Sequence, residues 1–203
     1  MAAPKNIAIL ILAAGASSRM GRTKQLLPWQ DTTLLGSAIR TARDSNAKSV
    51  AVVLGANAES IRGRVNVGRG VKTDADFVEN TAWETGLGSS IACGTEFLIE
   101  KKIVYDGILI MLADQPLIDT EYLNMMMAAF GSGDMGIVAT AYKNRAGVPA
   151  LFSASYFPKL TKLDDDFGAK NIIDNQDGDI EVLNPESKTE DIDTKSDYER
   201  LIK

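Results

Sequence analysis

Residues 7–24 read IAILILAAGASSRMGRTK. Ile7 to Ala14 is an apolar run without interruption, and much of it is β-branched. A strand with one wet face alternates in polarity. One that is apolar at every position is covered on both faces, the pattern of a parallel sheet. The run ends in a loop holding Gly15, Ser17, Ser18 and Gly21, with Arg19, Arg22 and Lys24 close behind. SVAVVLGA (Ser49–Ala56) and GILIML (Gly107–Leu112) repeat the buried-strand character. In α/β folds of this kind, ligands sit beyond the carboxyl ends of the strands. The loops that begin at Gly15 and at Asp114 are therefore the first places to look for function.

Between these strands the period changes. Leu34, Leu35, Ala38, Ile39 and Ala42 fall at helical spacing, with Thr32 or Thr33 placed to cap. Further helices are expected over Ala58–Val65, Gly88–Ile99, Thr120–Phe130, Tyr156–Leu163, Ala169–Asn175 and Ser196–Ile202. Gly136–Tyr142 and Gly147–Phe152 read as strands around a turn at Lys143-Asn144-Arg145, and Ile180–Leu183 as another strand. Val71–Val78 reads as weak strand or loop. Strands alternating with helices imply an α/β domain with a mostly parallel sheet. A chain of 203 residues is one domain of ordinary size.

Composition excludes several chemistries. The sequence has no histidine, so Ser-His-Asp and Cys-His mechanisms and His-ligated zinc are ruled out. Its single cysteine, Cys93, rules out disulfides and CxxC pairs within the chain. Cys93 is read as a small core residue of the helix over Gly88–Ile99. Carboxylates, Lys, Arg, hydroxyls, backbone amides and a hard oxygen-liking metal remain. Asp and Glu outnumber Lys and Arg by 27 to 22, which argues against coating nucleic acid. Lys5 followed by Ile7–Ala14 looks like a short signal peptide, but the run is short and cations follow at once, so it is read as a strand. No stretch approaches a membrane span. A reducing, cytoplasmic setting is expected.

Four motifs can hold chemistry. The Gly15–Lys24 loop can cradle a phosphate with backbone amides and cations, or it can be a connection with solvated charges. Its spacing is neither a Walker loop nor GxGxxG, and the literal GxGxxG at Gly131, Gly133 and Gly136 follows a helix, so it is read as a turn. Asp114 ends an apolar strand, where it can bind Mg²⁺ or cap the next segment. Gly88, Ser89 and Ser90 open a helix and can offer free amides and hydroxyls, or serve only as an N-cap with Trp83 packed on the sheet. The acidic set Asp164, Asp165, Asp166, Asp191 and Asp193 reads as solvated. Asp174–Asp179 resembles a calcium loop out of register and is read as a turn at Asp177-Gly178.

Taken together, LAAGASSRMGRTKQLLP, NTAWETGLGSSIACG, LADQPLID, GVPALF, FGAKNI and DIDTKSDYERL resemble the MobA-like nucleotidyltransferases, most closely the molybdenum cofactor cytidylyltransferase branch. The resemblance runs through nearly the whole chain. It implies a Rossmann-like three-layer α/β/α fold. It also implies transfer of CMP, or less readily GMP, from an NTP to a phosphorylated molybdopterin-type acceptor. The loop Ala13, Ala14, Gly15, Arg19 and Lys24 would hold the triphosphate, and Gly88 and Ser89 would line the nucleotide pocket. Asp114 would bind Mg²⁺, with Asp193 as a second metal carboxylate. The resemblance further implies transient contact with a molybdoenzyme or chaperone. Asp165-Asp166 stands where the branch often has Gly-Asp, which leaves the acceptor-side roles of Asp166 and Lys170 open. The other readings are a same-fold transferase with a different acceptor, an oxidoreductase-like outlier of the branch, and a non-catalytic nucleotide-binding regulator.

Overall fold

The computed structural model describes residues 5–65, 75–143, 145–175, 178–186 and 188–202. In chain order the strands and helices are β1 (Ile7–Ala13), β2 (Pro28–Trp29), β3 (Thr32–Thr33), α1 (Leu34–Arg43), β4 (Ser49–Leu54), α2 (Ala58–Arg64), β5 (Asp76–Glu79), α3 (Leu87–Glu100), β6 (Gly107–Leu112), α4 (Thr120–Ser132), β7 (Ile137–Tyr142), β8 (Arg145–Ser153), α5 (Phe157–Leu160), α6 (Lys170–Asp174), β9 (Ile180–Leu183) and α7 (Lys195–Leu201).

Seven strands form one sheet in the order β5-β4-β1-β6-β8-β7-β9. Only β8 runs against the rest: it is antiparallel to both β6 and β7, whereas β9 is parallel to β7. β1 is the centre, parallel to β4 on one side and β6 on the other, and all its residues are buried, as its apolar run requires. Ile7, Ile9 and Ile11 face α1, α2 and α4 through Leu35, Ile39, Ile61, Tyr122 and Met126. Ala8, Leu10 and Leu12 face α3, α5 and α6 through Ile91, Leu98, Leu160 and Ile172. This is the expected three-layer arrangement. α3 lies so close to the sheet that a Cβ on Gly94 would stand 2.4 Å from Leu10 Cδ1.

Most elements fall where the period places them. Thr33 is the α1 cap, its side chain accepting from Gly36 N at 3.1 Å. Gly131 and Gly133 end α4, so that glycine set is a turn, as read. The differences have local causes. Tyr156–Leu163 is a 3-10 turn over Ala154–Tyr156 running into the single turn of α5. The two-residue hairpin of β2 and β3 is too short to show a period. Cys93 is half-buried rather than core, with its Sγ 3.8 Å from the Glu79 carbonyl. Of the weak strand at Val71–Val78, residues 71–74 lie outside the described residues, and β5 begins at Asp76. The turns at Lys143-Asn144-Arg145 and Asp177-Gly178 also include residues outside the description, Asn144 and Asp177. Among the described residues no helix is long and apolar enough to cross a membrane.

Two features of this frame position the site. In the parallel register Ala13 pairs with Leu54 and Leu12 with Leu112, so the loops after β1 and β6 emerge side by side. The segment before α7 then folds back on them. Ile192 N–H donates to the Asp114 carbonyl at 2.9 Å. Its side chain is buried in a small cluster with Leu27, Trp29, Leu34 and Tyr198, and Tyr198 O–H donates to Pro28 O at 2.7 Å. A capping box at Thr194 and Asp197 starts α7 immediately afterwards. The tail is thereby held with Asp191 and Asp193 beside Asp114, far away in sequence.

Candidate active site

A cleft of about 510 Å³ opens at the carboxyl ends of β1 and β6. Its floor and one wall are the loop after β1. That loop is held from beneath by Gln25, which is only 5% exposed. The Gln25 amide donates to the carbonyls of Ala13 and Gly15, both at 2.9 Å, and its Oε1 accepts from Ser17 Oγ at 3.2 Å. Ser17 Oγ in turn accepts from Lys24 N–H at 3.1 Å. One buried amide thus fixes both ends of the turn. Gln25→Leu fills similar space but takes the donor from the buried Ala13 carbonyl, at about 1–3 kcal/mol, and frees the more exposed Gly15 carbonyl. A lowered Tm is expected, together with a KM for the nucleotide that rises more than kcat falls, measured by thermal denaturation and steady-state kinetics.

Charge concentrates where the two loops and the tail meet. Lys24 Nζ lies 2.6 Å from Asp114 Oδ2 and 3.2 Å from Asp193 Oδ1, and its side chain is only 15% exposed. Arg19, by contrast, is 72% exposed and reaches Asp193 Oδ2 at 3.6 Å. Asp114 Oδ1 is buried with no hydrogen-bond partner. Asp191 sits just behind. Burial foremost, then the negative charge of Asp114, pushes its pKa up to about 6, with Asp193 adding to the rise; Gln115 and Lys24 oppose it. Two carboxylates, Asp114 and Asp193, therefore meet one enclosed ammonium, with Asp191 near Asp114 and a guanidinium at the rim.

The opposite wall comes from Trp83, Glu84, Gly86, Leu87 and Ser90, with Asp166 closing over it. Gly86 has φ +126°, and a Cβ there would stand 2.5 Å from Asp166 Oδ1, so only glycine lets the two segments approach this closely. Here the sequence reading needs correction. The Gly88 amide is not free, because it donates to Asp165 O at 2.7 Å. Ser89 Oγ is engaged with Asn80, Ala82 and Gly86. Neither residue lines the cleft; Gly86, Leu87 and Ser90 of that segment do. Ala13, Ala14, Gly15, Arg19, Lys24, Asp114 and Asp193 all line it. Gln25 and Asp191 were not singled out by sequence reasoning. A polar residue set before the apolar pair Leu26-Leu27 was the only signal for Gln25. Asp191 was grouped with solvated acids.

The donor set fits a hard divalent cation. The buried, unpartnered Asp114 oxygen and the excess of carboxylate over enclosed ammonium both call for more positive charge. Among the described residues no three acidic or thiol side chains converge on one point. The protein offers a pair of carboxylates rather than a cage, which suits an ion that keeps waters and takes substrate phosphate oxygens.

Comparison with known proteins agrees with this architecture. The model of the MobA-like NTP transferase domain matches residues 9–180. Nicotine blue oxidoreductase of Paenarthrobacter nicotinovorans is 29% identical over 204 residues, covering 95% of each chain. Purine catabolism protein PucB of Bacillus subtilis (strain 168) is 30% identical over 198 residues, covering 95% of this chain and 94% of its own. The crystal structure of Rv0371c from Mycobacterium tuberculosis H37Rv superposes with a TM-score of 0.80 at 29% identity, covering 97% of this chain and 98% of the other. The same protein in complex with manganese superposes with a TM-score of 0.76 at 28% identity over the same shares.

Proposed function

The chain belongs to the MobA-like NTP transferase family, and from that premise we propose that it transfers CMP from CTP to a phosphorylated, molybdopterin-type acceptor and releases pyrophosphate. The observation that carries the reading is the placement of Lys24 and Arg19 against Asp114 and Asp193 at the mouth of the glycine-turn cleft. Two cations and a pair of carboxylates suited to a hard metal, at one strand edge, are what a triphosphate needs.

The mechanism is one of positioning and charge. An acceptor phosphate oxygen forms the new bond to the α-phosphorus as the bond to the β-phosphate oxygen breaks. Pyrophosphate departs with that electron pair. A phosphate monoester is already largely ionised near neutral pH, with a second pKa of about 6, so no general base is required. A histidine-free chain can do this chemistry. The Gly15 turn, locked by Gln25, offers backbone to the phosphates. Lys24 and Arg19 meet their negative charge; a unit pair at 4 Å and an effective dielectric near 20 is worth about 4 kcal/mol, which suits the enclosed Lys24, while the exposed Arg19 contributes far less. Asp114 and Asp193 are the residues that would hold Mg²⁺, which when bound neutralises phosphate oxygens as a Lewis acid. Manganese in the Rv0371c structure supports a divalent ion in such a fold.

The name of the Paenarthrobacter relative raises a redox alternative. Cys93, the one thiol of the sequence, does not line the cleft. Burial, with Glu96 adding, raises its pKa, which leaves it a poor thiolate. Nothing in that residue favours redox chemistry over transfer.

The donor base is tested at Ala14. Its side chain lines the cleft, and its carbonyl is fixed by Ala56 N–H at 2.9 Å, so the methyl has a set position. Ala14→Gly should lower the CTP-over-GTP preference in kcat/KM by about tenfold, within the range for a methyl-sized difference. A wild type that prefers GTP would overturn the donor reading. An unchanged ratio in the variant would remove Ala14 as its cause.

A further inference from the structure

Both cations assigned to the triphosphate are paired with the carboxylates assigned to the metal. Lys24 Nζ spans Asp114 Oδ2 and Asp193 Oδ1, and Arg19 takes the other oxygen of Asp193. The Lys24 backbone is pinned through Ser17, and the next residue is the buried Gln25. Its side chain, by contrast, is a flexible four-carbon stem. We propose that Lys24 is an exchangeable counter-ion: without nucleotide its ammonium occupies the bridging place between Asp114 and Asp193, and it must hand that place to the divalent ion when phosphate oxygens arrive to receive it. Arg19 leaves Asp193 by the same exchange. Metal and nucleotide then enter as coupled ligands, each strengthening the other's binding, and Asp193 acts in the resting protein as a stand-in for phosphate.

Competition follows from the geometry. An ion drawn to the two carboxylates meets the ammonium that already lies against both of them. An ion on the free Asp114 Oδ1 would still sit on the same carboxylate as a fixed ammonium, at full charge repulsion in a mostly enclosed site. The inference rests on the reading of Asp114 and Asp193 as the metal pair, and the experiment separates the two.

Mn²⁺ is titrated into nucleotide-free protein, with bound ion followed by electron paramagnetic resonance, for wild type, Lys24→Ala, Lys24→Met and Asp114→Asn. Lys24→Met keeps most of the stem volume should the alanine variant fold poorly. Either lysine variant should bind Mn²⁺ about tenfold or more tightly than wild type, the scale of ordinary coupling between sites. Asp114→Asn should lose the site. If the lysine variants bind no more tightly than wild type while Asp114→Asn abolishes binding, the exchange is wrong and the metal pair stands. If Asp114→Asn binds Mn²⁺ as wild type does, the metal reading fails and the exchange with it.

Discussion

Asp114→Asn is expected to lower kcat about a hundredfold or more in saturating Mg²⁺ while leaving the fold intact. The substitution keeps the size and shape of the side chain. It removes the negative charge that draws a hard cation and that Lys24 meets at 2.6 Å. Losing one strong electrostatic contact made in the transition state costs about 10²–10³ in rate. Asp114 Oδ1 is buried and without a partner, and an amide there keeps an acceptor oxygen but supplies no negative charge to a metal or to Lys24. The backbone is unaffected: the Asp114 carbonyl accepts from Ile192 N–H, so the tail stays docked. Steady-state kinetics across a Mg²⁺ series, with circular dichroism to verify the fold, checks both parts. Activity near wild type would remove Asp114 from the site.

Lys24→Ala should have the second largest effect, a fall in kcat/KM of about a hundredfold. How that fall divides between the two constants says what Lys24 does. A cation that holds the ground-state triphosphate as well as the transition state changes only KM. One that meets charge growing on the departing pyrophosphate changes kcat. Lys24 stands beside Asp114 and Asp193, the carboxylates proposed to hold the metal, rather than at the exposed rim, so the larger share should fall on kcat. Arg19, more exposed and paired with Asp193, should show the opposite division. Unchanged kcat/KM in Lys24→Ala would refute the phosphate role of the loop.

Much of the frame was legible because burial on both faces leaves a plain mark. β1 and β6 are apolar throughout and bounded by polar or glycine residues, so their limits could be read almost to the residue. α1 was equally visible through its period and its cap, and α4 was expected over Thr120–Phe130, two residues short of its end at Ser132. The β2–β3 hairpin was not, because two residues per strand have no period. The site was legible only in its local parts. Arg19, Lys24 and Asp114 follow strands whose carboxyl ends can be found from sequence. Asp193 was brought in by resemblance alone, since its approach to Asp114 depends on Ile192 and Tyr198 anchoring the tail. Spacing does not encode such docking. Asp191 is exposed, in keeping with its reading as a solvated acid, but its approach to Asp114 is not encoded in spacing either. Gly88 was misread because a helix start looks the same whether its amides face a ligand or, as here, another loop.

The most direct test of the account is pyrophosphate release by the purified protein with each NTP and a panel of phosphorylated acceptors, molybdopterin-type compounds first, with and without Mg²⁺. The account expects release that requires both Mg²⁺ and an acceptor, is greatest with CTP, and is stoichiometric with a product heavier than the acceptor by one CMP unit. Tight CTP binding with no pyrophosphate released to any acceptor in the presence of Mg²⁺ would contradict it and point instead to a nucleotide-binding regulator.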